Sequence, residues 1–336
     1  MRKGIGLALV LLFGLLFPSA GQAGGLSYGV WLPYWEIDAA MDEAKRVVGK
    51  VDTFVAFACQ FNSRDQIFVP PETHEILSSL NDPAFENAEV FISVVNDVEV
   101  EYGKFELKSA SLMRRLFKSP ESQSRHTEQL ISLIDTYRPD GLELDYENFD
   151  GDLDLWSSYV GLISKVWSLC QREGIKLRVA LESDAPKYAT LPEGPEYSVM
   201  CYNLFGSHGG PGPKADYEFL EDTCKLYLNV PGRVRMAFAT GGFDWTGRKT
   251  TALTQEQINR QLKQAGVEPE RDPHSGAMRA VYREDGVAHE VWYADGQTLA
   301  MWRDTCLEYG YDSFDLFRLG GNDLDDLSNS IWWTQP

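Results

Sequence analysis

Residues 140–150 read DGLELDYENFD, which places carboxylates at Glu143, Asp145 and Glu147 with Leu144 and Tyr146 between them. In a strand, alternation by two sends these acids to one face and the apolar residues to the other. If that strand is buried, repulsion and desolvation both oppose ionisation of the three carboxyls. A carboxyl kept protonated near neutral pH by its surroundings can give its proton to a leaving group, so the pattern points to acid–base catalysis.

The elements around this segment predict where it sits. Apolar runs occur at 26–34, 51–59, 89–95, 141–147, 175–182, 197–203, 233–240 and 312–319. They are apolar on both faces, as parallel strands covered by helices are. Helical spacing links Leu130, Leu133, Ile134 and Tyr137 up to Pro139, and Leu155, Tyr159, Leu162, Ile163, Val166 and Trp167 up to Gly174. Eight strands alternating with helices predict a (β/α)8 TIM barrel, and no GxGxxG follows the first run to favour a doubly wound sheet. Between the seventh and eighth strands a small α+β insertion is expected over 245–292, with a helix at 254–266 and a hairpin turning at Asp285-Gly286. In such a barrel Leu142, Leu144 and Tyr146 face the helices. Glu143, Asp145 and Glu147 point inward, with Glu147 nearest the C-terminal mouth.

Composition limits the partners. Residues 1–23 combine Arg2 and Lys3 with an apolar stretch from Ile5 to Phe17 and a small-residue end, and are expected to be a secretory leader. The barrel is then expected over 24–336 as a single unit, outside the cytoplasm and monomeric. The formal charge of −19 disfavours nucleic acid and anionic membrane as partners. Cys59, Cys170, Cys201, Cys224 and Cys306 are widely spaced and odd in number, which favours buried free thiols. The five histidines lack metal-ligand spacing, so neither a metal nor another cofactor is expected.

DGLELDYE resembles the DGxDxDxE signature of glycoside hydrolase family 18, the chitinase-like barrels. MCYN at 200–203 is similar to the family's MxYD, and FRLGGND at 317–323 to its WxLGxxD. Trp31 and Trp35 reproduce an aromatic followed four residues later by Trp, and VAFACQF around Phe57 looks like the family's second strand. EVWYADGQTLA is similar to a segment of the spore-cortex-lytic, peptidoglycan-active members.

The resemblance implies retaining, substrate-assisted cleavage of a β-1,4 bond beside N-acetylglucosamine. Glu147 is then the acid, and Asp145 holds the 2-acetamido N–H and balances an oxazolinium charge. Tyr202, with Asn203 assisting, bonds the acetamido oxygen, and Glu143 shares a proton with Asp145. Trp31, Trp35, Phe57 and Phe317 are the expected sugar-contacting aromatics. The expected substrates are peptidoglycan first, chitin-like oligomers second and the core of N-linked glycans third. A lectin-like, non-catalytic barrel is the alternative, although relatives of that kind usually lack the terminal Glu. The chain departs from the family pattern at Glu143 (Asp in the family), Asn203 (Asp), Phe317 (Trp) and SVVN at 93–96 (SxGG). These changes bear on the substrate more than on the chemistry.

Overall fold

The computed structural model describes residues 25–149, 151–247 and 249–334, so the leader expected at 1–23 lies outside the described residues. Eight strands form at the expected runs: β1 (Ser27–Pro33), β2 (Thr53–Phe61), β3 (Glu89–Glu101), β4 (Gly141–Asp145), β5 (Lys176–Glu182), β6 (Glu196–Met200), β7 (Val234–Phe238) and β8 (Ser313–Leu316). Each pairs in parallel with its successor and β8 pairs with β1, which closes a (β/α)8 barrel.

Local signals set the helices that flank β4. Helix Pro120–Tyr137 opens on a capping box between Ser119 and Ser122, with Pro120 in its first turn, and stops at the left-handed Arg138 before Pro139. In helix Leu153–Glu173 the Asp152 carboxylate accepts the Leu155 N–H, and Gly174 ends it in the left-handed conformation. Leu142, Leu144 and Tyr146 are buried against these helices. The Tyr146 hydroxyl pairs with His126 Nε2 at 3.0 Å, in a setting whose burial pushes the His126 pKa down to about 4.

The lower barrel interior is ionic instead of purely aliphatic. The Arg235 guanidinium donates to both carboxylate oxygens of Asp315 at 2.8 and 3.0 Å, and Ser198 Oγ donates to Asp315 Oδ2 at 2.7 Å. Burial alone would raise the Asp315 pKa, but Arg235, then Arg178, and these hydrogen bonds hold it below the usual carboxylate range. Gly29 lies beside this carboxylate, where a Cβ would collide with Asp315 Oδ1. Arg178 lies over the Phe91 ring at 4.6 Å and spans Asp315 at 3.9 Å and Glu143 at 3.8 Å. Charge therefore runs up the lumen from Asp315 to Glu143, just below the mouth.

The insertion is wider than the expected 245–292. A five-stranded antiparallel sheet runs from Gly241 to Ala294, in the order Lys249–Leu253, Gly241–Thr246, Val287–Ala294, Met278–Glu284, Glu270–Arg271. Helix Gln255–Ala265 packs on it through a small core of its own containing Ile258, Leu262, Ala280, Val291 and Tyr293. All five cysteines are free and buried. Among the described residues no helix is long and apolar enough to cross a membrane.

Candidate active site

A cleft of about 790 Å³ opens at the C-terminal mouth of the barrel, walled on one side by the insertion. Asp145 and Glu147 reach it from β4 and the turn that follows. Both are nearly buried, at 7% and 6% exposure, so neither carboxyl is simply solvated.

Glu143 lies one layer lower and is fully buried. Its Oε1 accepts the Trp31 indole N–H at 2.7 Å, while its Oε2 and Asp145 Oδ1 are buried without hydrogen-bond partners. The Glu143 pKa is raised by burial, with Arg178 and Trp31 opposing. Asp145 is pushed well above the usual carboxylate range, by burial first and then by the neighbouring Glu147 and Glu143. Burial also raises Glu147, Asp97 adds to it, and a lysine opposes. The charge of Glu147 opposes ionisation of Asp145, so the two cannot both ionise cheaply.

Across the cleft, the Tyr202 and Phe317 rings stack with centroids 5.5 Å apart. Burial, then the charges of Glu147, Asp145 and Glu143, push the Tyr202 phenol well above its ordinary value, which keeps it a neutral donor. Asn203, Trp35, Phe57 and Phe317 also line the cleft, and Trp35 is 47% exposed. Trp31 departs from the expectation of a sugar contact. It is 3% exposed, packs in the lumen with Val55, Phe91 and Ala237, and is turned down toward Glu143. As the third residue from the end of β1, it lies beneath the cleft lining, edge-on to the Phe317 ring with centroids 5.9 Å apart.

Two residues were not legible as site residues. Lys108 Nζ contacts Glu147 Oε2 at 2.5 Å, although 39 positions separate them in sequence. The cause is β3, which continues past the barrel rim and turns back through Lys104–Glu106, so that the chain crosses above β4. Lys108 has a φ of 51°, a conformation costing a non-glycine about 1 kcal/mol or more. Its N–H donates to Asp97 Oδ1 at 2.8 Å and its carbonyl accepts from Asn148 Nδ2 at 3.1 Å, which holds the turn in place. The alternation VEVEYGKFE around Gly103 carried the hairpin signal. Asn96, the last residue of the divergent SVVN, is completely buried. It accepts the Glu147 N–H through Oδ1 at 3.1 Å and donates from Nδ2 to the Glu147 carbonyl at 2.9 Å, so it clamps the main chain that carries the acid.

Lys108 opposes protonation of Glu147 while burial favours it, which gives a signed expectation. A general acid acts while protonated, so activity falls as pH rises through its pKa. Lys108→Met removes the only cation in contact with Glu147 among the described residues, raises that pKa, and should move the basic limb of the kcat/KM profile to higher pH. Lys108→Arg should leave the limb nearly in place. An unmoved limb in Lys108→Met, with folding intact by circular dichroism, would assign the limb to another group.

The site is a carboxyl stack on β4 beneath an insertion-walled cleft in a closed (β/α)8 barrel, and solved structures agree on the fold. The spore cortex-lytic enzyme SleL of Bacillus cereus superposes with a TM-score of 0.76 at 14% identity, covering 93% of this chain and 75% of that one. A chitinase from Chromobacterium violaceum also gives 0.76, at 16% identity over 93% of this chain and all of the other. A class V chitinase mutant from Nicotiana tobaccum, in complex with NAG4, gives 0.72 at 12% identity over 93% and 99%. Among curated proteins, an uncharacterized glycosylase, YvbX, of Bacillus subtilis (strain 168) is 21% identical over 240 residues, 66% of this chain and 67% of that protein. No family model matches the chain. The resemblance read from DGLELDYE, MCYN and FRLGGND therefore holds at the level of the fold.

Proposed function

We propose that the protein is a retaining glycoside hydrolase that cuts β-1,4 bonds beside N-acetylglucosamine, with Glu147 as acid and then base and the substrate's own acetamido oxygen as nucleophile. The observation that carries this reading is the one-sided stack. Glu147 and Asp145 both rise from β4, and the facing wall presents Tyr202, Asn203 and Phe317. Of the other carboxyls lining the cleft, Glu36 is paired with Arg318, and Asp97 is on neighbouring β3, where it accepts the Lys108 N–H. A two-carboxylate mechanism needs acids on opposite sides of the sugar, so this arrangement favours the substrate-assisted route.

In that route the Glu147 proton goes to the leaving oxygen while the acetamido oxygen attacks the anomeric carbon, giving an oxazolinium and a free alcohol. Asp145 accepts the acetamido N–H and balances the new positive charge, and the neutral Tyr202 hydroxyl donates to the acetamido oxygen. A proton held between Asp145 Oδ1 and Glu143 Oε2 would satisfy both unpartnered atoms and let Asp145 become anionic as the cation forms. Glu147, now ionised, draws a proton from water, which opens the oxazolinium with its configuration restored.

Peptidoglycan is the first-ranked substrate, chitin-like oligomers the second and N-glycan cores the third. A cortex-lytic enzyme and chitinases among the structural neighbours support the first two substrates, and residues 1–23, read as a secretory leader, support a site of action outside the cytoplasm. Proton NMR of the freshly released reducing end tests the scheme. The β anomer should appear first and then mutarotate, and first appearance of the α anomer would refute it.

A further inference from the structure

The cleft holds cations that the chemistry above does not use, in a chain whose formal charge is −19. Lys108, Lys214 and Arg318 all line it. Lys108 is paired with Glu147 and Arg318 with Glu36, so two of the three are neutralised by the protein itself. Lys214 is not. Among the described residues no carboxylate lies within ion-pair distance of it, and its only hydrogen-bond acceptor is the Thr240 carbonyl at 2.7 Å. An ammonium has three donors, so two remain without a protein acceptor.

The fold goes to some length to place this ammonium. Lys214 directly follows the glycine-rich segment GSHGGPGP at 206–213, and that loop is closed by the Leu204 N–H donating to the Lys214 carbonyl at 3.0 Å. Its side chain is part-buried, with Nζ 5.8 Å from the centroid of the Phe243 ring on the insertion. Burial first, and then the nearby Arg318, push its pKa down to about 7. An unpaired ammonium in such a place is costly unless a ligand supplies the counter-charge. Glycans of neutral N-acetylglucosamine alone have no charge to offer.

We propose that Lys214 is the receptor for a carboxylate on the substrate, so that the cleft selects an acidic N-acetylated glycan over a neutral one. The chemistry that fits is a β-linked N-acetylglucosamine polymer bearing a carboxylate on alternate sugars, either as a lactyl ether on muramic acid or as a uronic acid. This deepens the hydrolase reading and rests on the cleft being a glycan site. It turns the first-ranked substrate into a statement about one side chain, because a peptide-free peptidoglycan strand carries that lactyl carboxylate and chitin does not.

The test measures binding, so it does not depend on turnover. Glu147→Gln protein is titrated by calorimetry with chitotetraose, with a peptide-free muramic acid tetrasaccharide, with the same tetrasaccharide after reduction of its carboxylates to alcohols, and with a glucuronate-containing tetrasaccharide. One of the two acidic ligands should bind about tenfold or more tightly than its neutral counterpart, as a charge-assisted hydrogen bond provides. Whichever acidic ligand shows the preference identifies the source of the carboxylate. The preference should vanish in Glu147→Gln/Lys214→Met and persist in Glu147→Gln/Lys214→Arg. Equal affinity for acidic and neutral ligands, or a preference that survives Lys214→Met, overturns the proposal while leaving the glycan site standing. Failure of all four ligands to bind overturns both. If Lys214→Met does not fold, Glu147→Gln/Lys214→Gln takes its place, and a preference that survives that change overturns the proposal in the same way.

Discussion

Glu147→Gln should lower turnover by at least about 100-fold, within the range that loss of a positioned acid produces. The substitution keeps the size and hydrogen-bonding reach of the side chain but removes its transferable proton. The fold should tolerate it, because Asn96 holds residue 147 through main-chain atoms that the change does not alter. The released Lys108 side chain is 51% exposed and can turn to water. Reducing-end release from peptide-free peptidoglycan strands and from chitin oligomers measures the loss, and a melting temperature within a few degrees of wild type separates it from unfolding. Retention of more than about a tenth of the rate would assign the acid elsewhere, with Asp97 the next carboxyl to examine.

A second large effect should come from the substrate instead of the protein. Replacing the 2-acetamido group of the cleaved sugar by hydroxyl removes the proposed nucleophile. A nucleophile held next to the reacting carbon is worth many powers of ten, so the rate should fall by at least about 1,000-fold while affinity changes far less. A thiazoline mimic of the oxazolinium should bind more tightly than the substrate, since Asp145 and Tyr202 would meet the cyclic cation they are arranged to stabilise. Ready cleavage of the hydroxyl sugar, or a glycosyl ester trapped on Asp145, would instead establish a protein nucleophile.

The positions of the eight barrel strands were legible because each is a short, mostly apolar run with an apolar helix-facing side, and Pro139 and Gly174 end their helices as their backbone chemistry requires. Glu143, Asp145 and Glu147 were legible for a related reason, since strand periodicity alone assigns them to the lumen. What was missed depends on depth and on chain crossings, which a period of two does not encode. Trp31 has the spacing of a sugar contact but sits beneath the cleft lining, against Glu143. Lys108 meets Glu147 only because β3 overruns the rim, and its alternating acids look like a solvated edge from sequence alone. The strands Gly241–Thr246 and Lys249–Leu253 escaped notice because GGFDWTGRKTTAL is interrupted by turn-forming residues and is largely polar in its second half. Asn96 appeared only as a departure from a family pattern, and its role is visible only once β3 and β4 are side by side.

The route by which the chain enters and leaves the insertion has an evolutionary consequence. Gly241 and Ala294 are directly paired neighbours in the insertion sheet, so the whole excursion departs and returns through two adjacent points. Paired residues of this kind lie only about 5 Å apart, a gap that a short turn can bridge. The excursion also has a hydrophobic core separate from that of the barrel. Its length and sequence can therefore drift while the β4 carboxyls keep their geometry, much as a handle can be recut without reforging the blade.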